Sequence, residues 1–269
     1  MKLKAWFKDN SNLFSSCDLR FLIKDINLRK NSPFLEEVSL NSEDLAYLER
    51  IKEAYIKGIP LAYILGKEEF FGLELKVNPK VLIPRPETEL IVEKAIEVIN
   101  RNNLYFILDL CCGSGNIALS IKKTVSQEIS VFAADVDFKA LLVAKDNISN
   151  YSENIKLVQS DLLGAFKPKS FDLIISNPPY VESDNVEGAL KFEPKIALDG
   201  GQDGLFFIRK ILEQAPKYLK NDGYLILEIG YNYKDNAEKA ISSLATYKIE
   251  EWVRDYSGYW RGVILKLKN

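Results

Sequence analysis

From about residue 104 onward, short apolar runs of strand character alternate with stretches of helical character. LYFILDL is followed by a helical stretch at 116–123, SVFAADV by one at 138–149, and IKLVQSD and FDLIISN precede another at 204–219 that leads into GYLILEIG. Strands that are apolar throughout must be covered on both faces, and helix-length connections between them return the chain in the same direction. The expectation is an α/β fold with a doubly wound, mostly parallel, Rossmann-like sheet. After a helical stretch at 237–244, YKIEEWV and YWRGVILKLK follow with no helix-length segment between them. They are expected as an antiparallel pair at one edge.

The beginning of the chain has a different period. Leu45, Leu48, Ile51 and Tyr55 follow helical spacing, Asn41 or Ser42 can cap the start, and Gly58 with Pro60 marks the stop. Residues 1–59 are therefore expected as a small helical domain. Between 60 and 86, Gly66, Phe70, Phe71 and Gly72 precede LELKV, whose period of two suggests a hairpin connector, and residues 87–269 form the sheet domain.

Composition removes several chemistries. The three cysteines, Cys17, Cys111 and Cys112, have no Cys-x-x-Cys spacing and the chain has no histidine, so neither a histidine-containing zinc site nor a Ser-His-Asp or Cys-His nucleophile can be built. A formal net charge of -2 gives no global attraction to nucleic acid. The start, MKLKAWFKDNSNLF, lacks the apolar core of a signal peptide, and the apolar runs are too short to span a bilayer, so a cytoplasmic protein is expected.

In an open α/β sheet the ligand sits beyond the carboxyl ends of the strands, where LDLCCGSGNIAL falls. Gly113 and Gly115 permit a tight strand-to-helix turn and close backbone approach, and a helix starting near Asn116 offers free N–H groups. The spacing Gly113-x-Gly115-x-x-Ala118 also satisfies a dinucleotide fingerprint, with Asp135 at the end of the next strand as a ribose-binding acid. Asp109 would repel a pyrophosphate but suits a ligand with an ammonium and a sulfonium, such as S-adenosylmethionine; alternatively it ties down the turn through backbone hydrogen bonds. Asp135 could equally cap the helix at 138. Ser160, Asp161 and Leu162 end the following strand, where they could meet an adenine edge or be an ordinary loop.

The run IISNPPY ends a strand in a carboxamide, two prolines and an aromatic ring. Neither proline can donate to a sheet, so Asn177 and Tyr180 are expected in a stiff turn that could grip something planar and polar, or could simply end the strand. In IPRPETE, Pro86 suits the first turn of a helix whose acids favour the dipole.

With LDLCCGSG, AADVD, QSDL and ISNPPY in this order, the chain resembles class I S-adenosylmethionine-dependent methyltransferases that act on nitrogen. PLAYILGKEEFFGLELKV, VLIPRPETE and FEPKIALDGGQDGL are similar to the peptide chain release factor N(5)-glutamine methyltransferases, the HemK or PrmC family, over residues 60–230. The resemblance implies methyl transfer from S-adenosylmethionine to the glutamine amide of the Gly-Gly-Gln motif of release factors, with the helical N-terminus as substrate-binding domain. It places Cys111, Cys112, Gly113, Ser114 and Gly115 along the methionine part of the cofactor, with Asp109 beside them. Asp135 falls on the ribose, Asp161 and Leu162 near the adenine, and Asn177, Pro178, Pro179 and Tyr180 around the glutamine. The family usually has glycine where this chain has Cys111, so a glycine-type backbone is not expected there; some members carry a large aromatic where this chain has Leu162.

An amide nitrogen is a poor nucleophile, and catalysis must come from placement. If the Asn177 side-chain oxygen and the Pro178 carbonyl each accept one amide hydrogen, the nitrogen is aimed at the methyl group while Tyr180 supplies a flat face. The other readings are an amino-group methyltransferase acting on adenine or guanine in DNA or RNA, which needs a basic groove for the backbone, an NAD-dependent oxidoreductase on the same glycine turn, and a binding protein that keeps the fold without activity.

Overall fold

The computed structural model describes residues 2–31, 38–186 and 190–268. They form two compact units, residues 1–65 and 66–269. The first contains helices α1 (Leu3–Asn10), α2 (Ser16–Arg29), α3 (Ser42–Ile56) and α4 (Leu61–Leu65). Asn41 caps α3 reciprocally: its side chain accepts from the Asp44 N–H at 2.9 Å and its own N–H donates to the Asp44 carboxylate at 2.8 Å. The helical face read from the sequence turns Leu48 and Ile51 inward, against Leu3, Trp6, Leu22, Ile26 and Leu61, with Leu45 and Tyr55 packed at the margin.

The second unit begins with a hairpin, β1 (Lys67–Phe70) and β2 (Leu73–Lys76). Phe71 and Gly72 both have positive φ, 50° and 74°, the mirror-image turn that matches the twist of paired strands. Next come α5 (Pro86–Asn102), β3 (Phe106–Leu110), α6 (Asn116–Thr124), β4 (Ser130–Asp135), α7 (Phe138–Asn150), β5 (Ile155–Gln159) and β6 (Phe171–Ser176). The last elements are α8 (Phe206–Tyr218), β7 (Leu219–Glu228), α9 (Lys234–Leu244), β8 (Tyr247–Arg254) and β9 (Trp260–Leu267). The hairpin is fastened to α7: buried Asn147 accepts from the Lys76 N–H at 2.7 Å and donates to the Lys76 carbonyl at 3.0 Å. These bonds place the hairpin with the sheet, while α4 packs with the first unit.

The seven strands run in the order β5-β4-β3-β6-β7-β9-β8, parallel except for β9, which is antiparallel to both β7 and β8. The late runs are thus the antiparallel edge pair expected. Successive strand residues feed opposite faces: Ile107, Leu173, Ile175 and Ile226 face the layer of α5, α6 and α7, and Leu108, Ile174, Leu225 and Leu227 face α8 and α9. From β3 the chain winds outward to β5 and then returns with β6 on the other side of β3. That reversal opens a crevice at the carboxyl ends of β3 and β6, and residues of LDLCCGSG, AADVD, QSDL and ISNPPY line it.

Candidate active site

The turn after β3 is built on three positive-φ residues, Cys111 at 61°, Gly113 at 51° and Gly115 at 78°. Cys111 adopts the left-handed backbone without being glycine, contrary to the expectation from its side chain. The turn imposes it: the next N–H, from Cys112, donates to the Ala134 carbonyl at 2.9 Å, and Gly115 N–H closes on the Cys112 carbonyl at 2.8 Å. Gly115 is needed for packing as well, since a Cβ there would lie 3.2 Å from the Ala144 Cβ of α7, whereas a Cβ on Gly113 would meet nothing within 4 Å. Burial pushes the Cys111 thiol up to about 12, helped by Asp135, so it is neutral at ordinary pH.

Asp135 ends β4 and ties the crevice together, accepting from Gly113 N–H at 2.9 Å through Oδ2 and from Asp137 N–H at 2.9 Å through Oδ1. The cap of α7 is Asp137, which accepts from Lys139 N–H at 2.8 Å, so Asp135 is not that helix's cap. Burial raises the Asp135 pKa while the backbone N–H bonds oppose the rise. Asp109 is fully buried and accepts from Ala118 N–H of α6 at 3.0 Å, but its Oδ1 has no hydrogen-bond partner among the described residues. Burial above all lifts its pKa to about 8. Leu162 also has left-handed backbone, φ 47°, and is buried.

The turn after β6 carries Asn177. Its Nδ2 donates to the Thr88 hydroxyl of α5 at 3.2 Å, and Oδ1 accepts from no described residue. Tyr180, three residues on, donates its phenol proton to Glu228 Oε1 at the end of β7, at 3.1 Å. Glu228 is fully buried, so its pKa is pushed up to about 7, with the Thr88 and Tyr180 hydroxyls favouring the charged form. The segment behind this turn is locked: Val181 N–H donates to the Leu198 carbonyl at 2.8 Å and Gly200 N–H to the Val181 carbonyl at 2.7 Å. Glu193 secures the same segment to the chain before α5, accepting from Ile83 N–H at 3.0 Å and pairing with Arg85.

These pieces line one cleft beyond the carboxyl ends of the strands. Cys111, Cys112, Gly113, Ser114, Asp135, Asp161, Leu162, Asn177 and Pro179 line it, together with Arg85, Thr88, Ile196 and Phe207.

The family model "Methyltransferase small domain" matches residues 88–193. The release factor glutamine methyltransferase of Thermodesulfovibrio yellowstonii is 38% identical over 90% of this chain and 88% of its own. That of Clostridium botulinum is 39% identical over 77% of each chain. This chain belongs to the release factor glutamine methyltransferase family. Among solved structures, a methyltransferase from Pyrococcus furiosus superposes with a TM-score of 0.55 over 85% of this chain and all of its own, at 21% identity, a likeness of fold.

A family member of this kind uses S-adenosylmethionine, and the cleft suits it: an apolar hollow with open space beside Gly113 and the Asp135 carboxylate on its wall. Four of the residues expected at the ligand do not reach the cleft wall. Asp109 lies beneath the turn, holding the start of α6; Gly115 faces α7; Pro178 is buried; and Tyr180 is turned to Glu228. Conversely, Thr88 and Glu228 were read from sequence only as a helix turn and a strand residue. The available signal was an acid closing an apolar strand, LILE, which must find a partner when buried.

Proposed function

We propose that this protein methylates the side-chain amide nitrogen of the glutamine in the Gly-Gly-Gln motif of peptide chain release factors, using S-adenosylmethionine. The observation that carries the reading is the Asn177 carboxamide on the cleft wall, its NH₂ end spent on Thr88 and its oxygen without a partner among the described residues. Such an oxygen is a neutral acceptor for an amide N–H. It holds one hydrogen of the substrate amide and aims the nitrogen into the cleft, while buried Pro178 stiffens the turn that presents it. When bound, S-adenosylmethionine supplies an electrophilic methyl on a sulfonium, which needs no acid to leave. Asp135 takes the ribose hydroxyls, the turn of Cys111, Cys112, Gly113, Ser114 and Gly115 follows the methionine part, and Asp161 and Leu162 border the adenine. Asp109 acts through the turn it secures, and Tyr180 and Pro179 stiffen the wall around Asn177.

A glutamine in a loop offers little surface for discrimination, so selection of the factor falls to the helical first unit. A translation substrate also accords with a cytoplasmic location. Among the described residues no helix is long and apolar enough to cross a membrane. Mass spectrometry of the Gly-Gly-Gln peptide, after incubating an intact release factor with enzyme and labelled S-adenosylmethionine, tests the proposal. One methyl group on the glutamine is expected. Methyl transfer to nucleic acid with none to the factor would overturn it, as would thermal stabilisation by NAD and not by S-adenosylhomocysteine.

A further inference from the structure

Three tyrosines stand in solvent at the carboxyl end of the sheet, outside the cleft wall: Tyr231, 58% exposed, after β7, and Tyr256 and Tyr259, 96% and 53% exposed, between β8 and β9. Both β7 and β8 run antiparallel to β9, so the β8–β9 turn projects from the same end of the sheet as the Asn177–Tyr180 turn. The Tyr231 and Tyr259 rings meet edge to face, 5.6 Å apart and at 72°. A single large side chain in water is ordinary, but a group of them on a rigid frame marks an interaction surface.

The β8–β9 turn is such a frame. Asp255 accepts at Oδ1 from Ser257 N–H and Tyr259 N–H, each at 2.9 Å, and at Oδ2 from Arg261 Nε at 2.7 Å. Gly258, at φ 86°, donates its N–H to the Asp255 carbonyl at 2.9 Å. These bonds use no tyrosine side chain, so the rings are presented ready-made to a partner. The frame is also tied to the site. Arg261 reaches Glu87 of α5 at 3.3 Å, the neighbour of Thr88 on the cleft wall. Gly230, which precedes Tyr231, lies so near the Asn177–Tyr180 turn that a Cβ on it would be 3.4 Å from Tyr180 Cδ2.

We propose that Tyr231, Tyr256 and Tyr259 form a docking surface for the folded protein that carries the glutamine, holding the part of the release factor that borders its Gly-Gly-Gln loop. The proposal rests on the reading of this protein as a release factor methyltransferase. Two glycines beside the glutamine offer no side chains, so the factor must be held through surface farther along, and an aromatic platform continuous with the Asn177–Tyr180 turn is placed to do it. A stacking surface for nucleic acid needs free cations to follow the phosphates. Here the neighbouring cations are engaged: Arg261 with Asp255 and Glu87, Lys234 with Glu238 at 2.6 Å, and Arg254 on the Trp260 ring at 3.6 Å. Tyrosines with little free charge around them fit a protein surface.

The test compares Tyr256→Ser and the triple variant Tyr231→Ser, Tyr256→Ser, Tyr259→Ser with the full-length parent. It measures kcat and KM on an intact release factor and on a short Gly-Gly-Gln peptide, S-adenosylhomocysteine affinity, and calorimetric Kd for the factor. The triple variant should raise KM and Kd for the intact factor by about tenfold or more, with kcat, peptide kinetics and cofactor affinity near the parent. Tyr256→Ser alone should raise them by about threefold. Unchanged KM and Kd for the factor would overturn the proposal, as would an equal loss on factor and peptide, which would place the effect in the Asn177–Tyr180 turn. So would a parent dimer in sedimentation that the triple variant dissolves, or oligonucleotide binding that the triple variant abolishes while Kd for the factor is kept. Should the triple variant fail to fold, Tyr256→Ser decides, since its ring is almost wholly in solvent. A parent enzyme that binds the factor but leaves it unmodified refutes the functional reading instead, and the calorimetric comparison still judges the surface.

Discussion

Gly200 lies against the backbone of Tyr180 so closely that a Cβ added to it would sit 2.6 Å from the Tyr180 Cα and 2.8 Å from the Pro179 carbonyl oxygen. The GGQDG segment is therefore a backbone brace for the turn that carries Asn177. Gly200→Ala should push that turn forward, lowering kcat by about tenfold or more and destabilising the fold by ~1–3 kcal/mol, the scale of overpacking. Thermal unfolding and steady-state kinetics on the same preparation check this, and a variant with parent kcat and stability would show the brace to be dispensable.

In the proposed mechanism, Asn177→Ala deletes the acceptor for the substrate amide without touching the glycine turn. S-adenosylhomocysteine should bind with parent affinity by calorimetry, while the methylation rate at saturation drops by about a hundredfold. Near-parent turnover would remove Asn177 from the catalytic machinery.

Asp135 holds both Gly113 N–H and Asp137 N–H, so its loss should loosen the cofactor cleft itself. For Asp135→Ala the expectation is a raised KM for S-adenosylmethionine with a smaller change in saturated rate, because the ribose contact proposed for it changes little as the methyl moves. Kinetics at varied cofactor concentration would reveal the opposite pattern, a lowered saturated rate at unchanged KM, if the assignment is wrong.

Asp109 gives a pH signature. Its carboxyl, ordinarily near 3.8, is held protonated up to about 8 in the folded chain by burial. Between those values the unfolded chain has released this proton and the folded chain has not, so stability falls as pH rises through the window and levels off above it. Glu228, raised from 4.5 to about 7, acts in the same direction. Asp109→Asn keeps an oxygen for Ala118 N–H and removes the titration. Without cofactor, its thermal midpoint should decline less steeply than the parent's from about pH 5 to 8. Identical slopes would mean that Asp109 ionises normally.

What could be read along the chain was what depends on near neighbours. The apolar strands, the helix starts at Asn41 and Pro86, the turn at Gly113 and Gly115, and the strand end at Asn177 all follow from local period, capping and φ preference. Together with the rule that α/β sheets bind ligands at their carboxyl ends, this located the cleft, although Asp109, Gly115, Pro178 and Tyr180 lie off its wall and Thr88, Ile196 and Phe207 join it. The tertiary structure decided which atoms of those residues remain available. Asn177 and Thr88 are 89 positions apart and Tyr180 and Glu228 are 48 apart, so their hydrogen bonds exist only because the strand order brings α5, β6 and β7 together. The same holds for Asp109, whose burial under α6 turned an expected ligand contact into a support of the turn, and for Cys111, whose left-handed backbone is imposed by bonds to β4 against its own preference. Residue type and spacing located the cleft; only the packing of distant segments determined which acceptor and donor groups the folded chain leaves on its wall, because each buried polar atom is claimed by whatever partner the fold brings within reach.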